Sequence, residues 1–595
     1  MRPVKLDTIA RVIAVLTLAV GAGCVSGPRV NSASVSRSID ELFAKWNQPD
    51  SPGCALAVIK EGRVIYERGY GCANLEYGTP IRPSTVFNIA SASKQFTAMS
   101  VLLLVQQGKL SLEDDIRKYV SEVSDFGRVI TIRHLVHHTS GLRDLEELLA
   151  MAGWRMDGDV MTREHMLDMV SHQKEPNFNP GDEYVYCNMG YCLLAETVAR
   201  VSGQSFGEFA AANIFRPLGM TNTHVHDDHQ RIVRNRAYSY EPEGDKFFKN
   251  AFANGSAVGG GGIYSTVEDL AKWVNNFDNG RVGGPAVLKQ MHERGVLNNR
   301  QRRSLYAFGL YIDDYKGVKM VAHGGVSAGY RSDIIRFPDQ KLAVVLLANT
   351  SAIDALQLSR EVADIVLFGA PPRKPAELQD PESSPHLTVR VSAENLDAFC
   401  GVYEFKPGGF GTVTREGDRL YIEATGGPRV ELLPKAENAF LIKEDGSRIS
   451  FERDERGPVS RLILQKKSKD TTPALDRIFG ISTYIGQRIV PLSVPLRAEE
   501  LGEYTGNYTS DELGITYTIF VRNGELFAQH RRFGDSPLRQ IPVRDQFLGG
   551  DWLPYHFAFT RDARNQVTGF KLTGERNRNV RFERRLETVP RNLSR

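Results

Sequence analysis

Ser91 and Lys94 stand three residues apart in the motif Ser91-Ala92-Ser93-Lys94, where an apolar run over residues 91–108 predicts a buried helix. Positions i and i+3 share one face of a helix, so the Ser91 hydroxyl and the Lys94 amine can meet. A lysine whose pKa is lowered by burial can take the serine proton and make the oxygen a nucleophile. A helix that begins at Ser91 also places the backbone N–H of that residue beside an acyl oxygen. The motif is weak alone, because a chain of average composition produces about two such matches by chance.

Two downstream motifs carry groups that this chemistry needs. Tyr186-Cys187-Asn188 provides a phenol that can exchange protons and an amide that can orient Lys94 and the substrate carbonyl. His323-Gly324-Gly325 ends an apolar strand, where glycines let a substrate backbone lie along the sheet edge. The backbone N–H of Val326, the next residue, is expected to be exposed at that edge.

In this order the three motifs resemble those of the serine β-lactamase and penicillin-binding-protein superfamily, on its class C-like branch. Two further matches support the resemblance, His138-Thr139-Ser140-Gly141-Leu142 and Gly262-Ile263-Tyr264-Ser265-Thr266. It covers about residues 36–370 and implies that Ser91 is the acylated nucleophile, with Lys94 and Tyr186 as the acid–base pair. It also implies the following roles: catalytic assistance by Asn188 and His323, substrate binding by Gly324 and Gly325, and an oxyanion hole formed by the N–H groups of Ser91 and Val326.

The third motif bears on the substrate. Class C β-lactamases have Lys-Thr-Gly where this chain has His323-Gly324-Gly325, and that lysine helps to hold a substrate carboxylate. A histidine there is similar to D-aminopeptidases and some esterases. The resemblance therefore implies cleavage of small peptide or amide bonds, of the D-aminopeptidase or D,D-peptidase type. A carboxylesterase and a weak class C-like β-lactamase are the alternatives, and a catalytically silent penicillin-binding or recognition protein is the alternative from a different class.

Two other patterns compete with this interpretation. Gly325-Val326-Ser327-Ala328-Gly329 matches the G-x-S-x-G nucleophile elbow, but that motif needs a following helix, and residues 331–337 predict a strand. The histidines within residues 224–229 lie in a polar loop, where solvated side chains are more common than a metal site. We predict no metal and no cofactor.

The elements that must position the motifs follow from the apolar pattern. Residues 55–59 and 64–66 flank Glu61-Gly62-Arg63, which predicts a β-hairpin, and residues 317–349 predict further strands before a helix at Ala355–Phe368. Strands at both ends with helices between them imply one sheet completed by distant parts of the chain. The predicted fold is an α/β (α+β) β-lactamase/transpeptidase-like catalytic domain over residues 36–372, with an antiparallel sheet flanked by helices.

The C-terminal part is a duplicated β-rich region. Residues 451–456 recur as 559–564, and Gly401-Val402-Tyr403 recurs as Gly506-Asn507-Tyr508. A period of about 105 residues is too long for a solenoid and fits two small antiparallel barrels or sandwiches. We expect all-β barrel-like domains at residues 393–482 and 498–588, after a proline-rich linker at 373–392. The resemblance to D-aminopeptidases implies that these domains lay a loop over the site, and we expect residues 36–372 to fold alone and hold every group needed for acylation.

The N-terminus and the composition predict the compartment and the partners. Basic residues precede an uncharged run at 12–23, so residues 1–23 predict an export signal and a periplasmic or secreted protein. Gly21-Ala22-Gly23-Cys24 resembles a lipoprotein signal in which Cys24 is lipidated, and simple cleavage is the alternative. The formal charge of +3 over 595 residues indicates no nucleic-acid partner, and a membrane only through that lipid. The expected partner is a small peptide, amide or ester substrate. The sequence does not decide whether Cys54 and Cys72, or Cys187 and Cys192, form disulfides.

Overall fold

The computed structural model describes residues 32–585 except 156–157, 245–246, 252–253, 300–304, 370–390, 406–408, 425–428, 444–445, 455–456, 466–482, 490–495, 542 and 551. The predicted signal, Cys24 and most of the predicted linker lie outside the described residues. The described chain forms an N-terminal domain (residues 32–369) and two closed eight-stranded barrels, which confirms the predicted fold class. Among the helices of these residues, none is long and apolar enough to span a membrane.

The N-terminal domain is built from thirteen strands and eleven helices among its described residues. The strands are β1 (Cys54–Lys60), β2 (Arg63–Tyr70), β3 (Cys72–Asn74), β4 (Thr79–Pro80), β5 (Phe87–Asn88), β6 (His224–Val225), β7 (Tyr240–Glu243), β8 (Phe247–Asn250), β9 (Ile263–Ser265), β10 (Tyr311–Tyr315), β11 (Val318–Ser327), β12 (Tyr330–Phe337) and β13 (Leu342–Ala348). The helices are α1 (Ser32–Phe43), α2 (Lys94–Gln106), α3 (Ile132–Val136), α4 (Leu145–Met151), α5 (Arg163–Ser171), α6 (Asn188–Ser202), α7 (Phe206–Ala210), α8 (Arg216–Leu218), α9 (Val267–Asn279), α10 (Gly284–Met291) and α11 (Ala355–Phe368).

The main sheet joins the two ends of this domain. Its strand order is β10-β11-β12-β13-β1-β2, and every neighbouring pair is antiparallel. The apolar run of β1 is unbroken because the sheet is covered on both faces: Leu56 and Val58 pack into the core beside α1 and α11, whereas Ala55 and Ala57 pack into the core around α2. The predicted hairpin, the three later strands and the helix at Ala355–Phe368 are therefore confirmed.

The barrels confirm the duplication. The first barrel has α12 (Ala393–Phe399) beside its strands β14 (Gly401–Phe405), β15 (Gly409–Glu416), β16 (Arg419–Ala424), β17 (Arg429–Ala436), β18 (Ala439–Ile442), β19 (Arg448–Arg453), β20 (Val459–Gln465) and β21 (Thr483–Ile489). The second has α13 (Ala498–Leu501) before β22 (Gly506–Ser510), β23 (Ile515–Arg522), β24 (Glu525–His530), β25 (Gly534–Gln540), β26 (Gln546–Gly549), β27 (His556–Arg561), β28 (Val567–Thr573) and β29 (Val580–Arg585). The last strand of the first barrel lies beyond the predicted boundary at residue 482. Phenylalanine and tyrosine side chains pack inside both barrels.

The second barrel shares its core with the N-terminal domain. Apolar residues of both belong to one continuous cluster, and the Tyr517 hydroxyl donates a hydrogen bond to the Met151 carbonyl. Arg143 is fully buried, and its guanidinium pairs with Glu512 of the barrel. The structure thus does not support the expectation that residues 36–372 fold alone, because removal of the barrel would expose the apolar residues of this shared cluster to water.

Removing the buried partner of Arg143 should therefore destabilise the whole protein. We expect Glu512→Ala to cost about 3 kcal/mol, since the buried guanidinium would then keep only the more distant and partly exposed carboxylate of Glu175 at 3.7 Å. The measurement is the shift in Tm by differential scanning fluorimetry. The matched control is Asp511→Ala, which removes the partner of Arg585 from a pair whose side chains are 69% and 57% exposed. Equal shifts in Tm for both variants would contradict a stabilising role of the Arg143–Glu512 ion pair between the two domains.

Candidate active site

Ser91 lies in a 3₁₀ turn, Ala90–Ser93, that leads directly into α2. Ala90, the preceding residue, has φ +49°, a left-handed conformation that is uncommon outside glycine. The turn is held from two sides: Asn88 Oδ1 accepts the Ala90 N–H at 2.8 Å, and the Ser332 hydroxyl donates to the Ile89 carbonyl at 2.8 Å. The surroundings therefore fix a strained backbone at the point where Ser91 is presented.

Lys94 is the first residue of α2 and is fully buried. Its Nζ lies 3.2 Å from Ser91 Oγ and donates to Asn188 Oδ1 at 2.7 Å and to the Gly260 carbonyl. Burial lowers the pKa of Lys94 to about 8, against the opposing effect of Glu146. A substantial share of this lysine is therefore the free amine at mildly alkaline pH.

The three contacts of Lys94 suit both of its protonation states. The ammonium has three N–H donors and can donate to all three oxygens. The neutral amine keeps two N–H donors, which satisfy Asn188 and Gly260, and its lone pair then faces the Ser91 hydroxyl at 3.2 Å. The geometry thus allows proton transfer from Ser91 to Lys94 without movement of the lysine.

Tyr186 packs against the lysine: the centre of the tyrosine ring is 4.7 Å from Lys94 Nζ. Burial raises the pKa of Tyr186 well above its usual value, whereas hydrogen bonding with Ser91 and the charge of Arg576 lower it. The phenol is consequently neutral at rest and can give a proton but not take one. His138 supports it: its ring centre is 4.2 Å from that of Tyr186, and its Nδ1 accepts the Cys187 N–H at 3.1 Å.

Asn188 connects the lysine to the acidic residues near α4. Its Oδ1 accepts from Lys94, and its backbone N–H donates to Asp144 Oδ2 at 2.6 Å. Glu146 lies in the same cavity wall as this amide, and its pKa is raised by burial and by Asp144. Asp144 in turn caps the N-terminus of α4. Asn188 therefore links the N-terminus of α4 to the catalytic lysine through hydrogen bonds.

Both ring nitrogens of His323 contact groups other than Ser91. It is fully buried; its Nδ1 lies 2.6 Å from the Gly324 carbonyl and its Nε2 3.0 Å from the Tyr306 hydroxyl. A carbonyl oxygen only accepts, so Nδ1 carries the proton and Nε2 accepts from Tyr306. Burial lowers the pKa of His323 to about 3. The neutral ring is thus a positioning group for β11 and not a proton carrier at Ser91.

The two glycines after His323 allow β11 to approach two different neighbours. A Cβ on Gly324 would lie 2.9 Å from Leu356 of α11, so close packing against that helix explains this glycine. A Cβ on Gly325 would lie 2.5 Å from the Ile89 carbonyl oxygen, so this glycine allows β11 to approach the turn that carries Ser91. Val326 follows at the wall of the site cavity. The placement supports the predicted oxyanion position of Val326 and gives Gly324 a packing role instead of the predicted contact with substrate.

The competing nucleophile has the wrong surroundings. Ser327 ends β11, and the chain turns through Ala328 directly into the antiparallel strand β12. A nucleophile elbow requires a helix after the turn. Among the described residues no cluster of three or more His, Cys, Asp or Glu side chains could hold a metal ion. The five described cysteines are free thiols.

A cavity of about 420 Å³ opens beside the Ser91–Lys94–Tyr186 set. Its lining includes Asn188, Val326 and the Gly260–Gly262 segment, which also surround the catalytic candidates. A second wall comes from α4 and the chain after it, with apolar Leu145, Leu149 and Trp154 beside the carboxylate of Glu146. The cavity is large enough for a small amino-acid derivative, and on this wall it offers apolar side chains beside the acidic group of Glu146.

Sequence reasoning missed several groups of this site. Asp144, Glu146, the Gly260 carbonyl and Arg576 were not predicted to act there. Asp144 is recognisable in the sequence only as a helix cap before an acidic first turn, which signals structure and not chemistry. Arg576 lies 432 positions from its ion-pair partner Asp144, and no local pattern connects them.

A buried lysine with a lowered pKa, paired with a serine and a tyrosine on this fold, defines a serine hydrolase. The chain belongs to the Beta-lactamase family, whose profile matches residues 39–366. A second profile, a domain of unknown function (DUF3471), matches residues 388–478, the region of the first barrel.

Individual relatives agree with this family. Penicillin-binding protein 4* of Bacillus subtilis strain 168 is 28% identical over 458 residues, covering 73% of this chain and 97% of the relative. The D-aminopeptidase of Gluconobacter oxydans strain 621H is 27% identical over 528 residues, covering 88% of this chain and 94% of the relative. The structure of the octameric penicillin-binding protein homologue from Pyrococcus abyssi has a TM-score of 0.52 at 24% identity, covering 76% of this chain and all of that chain.

Proposed function

We propose that this protein is an exported hydrolase that forms an acyl-enzyme on Ser91 and cleaves small peptide or amide bonds, of the D-aminopeptidase or D,D-peptidase type. One observation carries the proposal: the Lys94 amine, with a pKa lowered to about 8, lies 3.2 Å from Ser91 Oγ. The curated D-aminopeptidase relatives support the amide specificity. Export rests on residues 1–23, and lipidation of Cys24 remains the alternative to simple cleavage.

Acylation begins with attack of Ser91 Oγ on the substrate carbonyl carbon. The Ser91 proton moves to the free amine of Lys94, and the N–H groups of Ser91 and Val326 stabilise the oxyanion of the tetrahedral intermediate. The C–N bond then breaks, and the leaving amine takes a proton from the Tyr186 phenol, which Lys94 reprotonates. The products of this half are the free amine and an ester on Ser91.

Deacylation repeats the same steps with water as the nucleophile. Lys94, again the free amine, takes a proton from water as its oxygen attacks the ester carbonyl. The Ser91–acyl bond breaks, Ser91 Oγ recovers its proton through Tyr186, and the carboxylate product leaves. Asn188 keeps the lysine in place throughout, since its Oδ1 accepts from Nζ at 2.7 Å.

Glu146 gives the cavity a preference for a substrate with a free amino group. Its carboxylate lines the same cavity as Asn188, which contacts the catalytic lysine. An ammonium group on the carbon next to the scissile carbonyl would therefore lie close to an acidic group. The apolar side chains of Leu145, Leu149 and Trp154 would surround the side chain of such a substrate.

We expect Glu146→Gln to lower kcat/KM for D-alanine p-nitroanilide by about 10- to 100-fold, the value of one charge-assisted hydrogen bond. Turnover of p-nitrophenyl acetate, which has no amino group, should not fall. The matched control is Glu241→Gln, another acid of the cavity wall, whose charge is already paired with Lys249 at 3.7 Å. Equal losses on both substrates would remove Glu146 from amine recognition.

A substrate panel tests the proposed function itself. D-alanine p-nitroanilide, its L-isomer, its N-acetyl form, p-nitrophenyl acetate and a fluorescent penicillin should be compared on the full-length protein, with Ser91→Ala as the blank. We expect the highest kcat/KM on the free D-amino anilide. Ester turnover with no anilide turnover would make the protein a carboxylesterase, and no turnover of any member would contradict a hydrolase of this specificity.

A further inference from the structure

The second barrel contributes a loop to the site. Residues 574–579 join β28 to β29 and lie against the chain that leads into α4. The Asn577 side chain exchanges two hydrogen bonds with the Asp144 backbone, of which the Asn577 Nδ2 donor to the Asp144 carbonyl measures 3.0 Å. The backbone N–H groups of Glu575 and Arg576 donate to the Glu147 carboxylate at 2.8 and 2.9 Å. This loop is therefore fixed to the wall of the site by both backbone and side chain.

Arg576 extends from this loop toward the catalytic candidates. Its side chain is only 17% exposed, and its guanidinium carbon lies 5.5 Å from the centre of the Tyr186 ring. One of its nitrogens is 3.4 Å from Asp144 Oδ1, and the other oxygen of that carboxylate accepts the Asn188 N–H. The arginine of the barrel thus touches the same tyrosine, and the same carboxylate, that surround Lys94.

Three charged side chains act on Lys94 and Tyr186. Asp144 and Glu146 contribute negative charge, and Arg576 is the positive group opposed to them. Glu147, on the far side of Arg576, has its pKa raised to about 7 by burial.

The remaining titratable groups that face the pair are neutral near pH 8. Burial lowers the pKa of His138 and His323 and raises the pKa of Cys192 to about 11. Burial also raises the pKa of the surrounding tyrosines, Tyr184, Tyr191, Tyr306 and Tyr311. Burial is the main cause of the lowered pKa of Lys94, and the two carboxylates and the guanidinium act on that pKa in opposite directions.

We propose that Arg576 is a positioning residue of the active site, supplied by the second barrel, which keeps Lys94 available as the free amine by opposing the charge of Asp144 and Glu146. The inference rests on the proposed function, because it assigns a use to the free amine. The second barrel would then contribute a residue to the active site, in addition to the loop over the site that the sequence predicted.

The consequence of losing this charge has a defined sign. Without Arg576 the two carboxylates act on Lys94 unopposed and the repulsion from the guanidinium disappears, so the ammonium form is favoured. The pKa of Lys94 then rises, and the free amine becomes scarcer at neutral pH. At a pH above the raised value the free amine returns, and with it the rate.

The test is the pH profile of kcat/KM for p-nitrophenyl acetate, an uncharged substrate, on the full-length protein. For Arg576→Gln we expect the midpoint of the acidic limb to rise by about one pH unit, which is about a tenfold loss at pH 7 and little loss on the alkaline plateau. Arg576→Lys should restore most of the wild-type profile, since it keeps the charge. Glu146→Gln removes a carboxylate that raises the pKa of Lys94, so it should move the acidic limb to lower pH.

Arg578→Gln is the matched control in the same loop. Its guanidinium pairs with Glu183 and lies beside Phe178, and the backbone contacts of the loop do not depend on its side chain. It should leave the midpoint unchanged.

Two results would overturn the proposal. A loss for Arg576→Gln that is equal at every pH would indicate a structural role, and a midpoint that stays at the wild-type pH would show that the charge of Arg576 does not act on Lys94. Ser91→Ala in the same assay separates this failure from failure of the proposed function, which would leave that variant active.

Discussion

Ser91→Ala should reduce hydrolysis by at least about 10⁴-fold, because the nucleophile and the base act as one unit and the covalent route is lost with either. The fold should survive, since Ser91 lies in a turn held by Asn88 and Ser332 and not by its own hydroxyl. The measurement is kcat/KM on the best substrate of the panel, with circular dichroism to confirm folding.

Ser327→Ala is the control for this variant. Ser327 lies in a β-hairpin that leads into β12 and not into a helix, so it lacks the surroundings of a nucleophile elbow and most of the activity should remain. Loss of activity in Ser327→Ala with a retained rate in Ser91→Ala would reverse the assignment of the nucleophile.

Lys94→Met should slow acylation by about 10²–10⁴-fold, the usual contribution of a general base. The wild-type rate should rise with pH through about 8, because only the deprotonated lysine accepts the serine proton and its pKa is lowered to that value. In Lys94→Met this acidic limb should disappear. Stopped-flow measurement of the acylation burst from pH 6 to 10 provides both results.

Lys94→Arg is the sharper form of the same test. Arginine keeps the positive charge but is not deprotonated in proteins, so it should be as slow as methionine at every pH. If Lys94→Arg retained the wild-type rate, the lysine would act through its charge, and Tyr186 would have to be the base despite its raised pKa.

The sequence was sufficient wherever a function depends on local spacing. Ser91 and Lys94 are three residues apart, in the 3₁₀ turn and at the first residue of the helix that follows it, and the strand pattern around His323 predicts the strand that approaches this turn. The hairpin before Arg63 follows from Glu61 and Gly62, which both adopt the left-handed conformation that such a two-residue turn requires. These features need only the next few residues to form.

The rest depends on contacts between distant parts of the chain. His323 was predicted from its motif, but only the structure shows that its ring is held between Tyr306 and the Gly324 carbonyl. Arg576 belongs to a repeat whose strands are typical of a scaffold, and its role follows from the docking of the barrel on α4. A sequence alone does not show which loop of a repeat contacts another domain.

The most direct test of the account is to identify the residue that becomes covalently modified. The full-length protein should be treated with a small fluorophosphonate, digested and mapped by tandem mass spectrometry, with Ser91→Ala treated in parallel. We predict one adduct, on the peptide that contains Ser91, and none in Ser91→Ala. An adduct on Ser327, or steady hydrolysis by a protein whose Ser91 is never modified, would contradict the central claim.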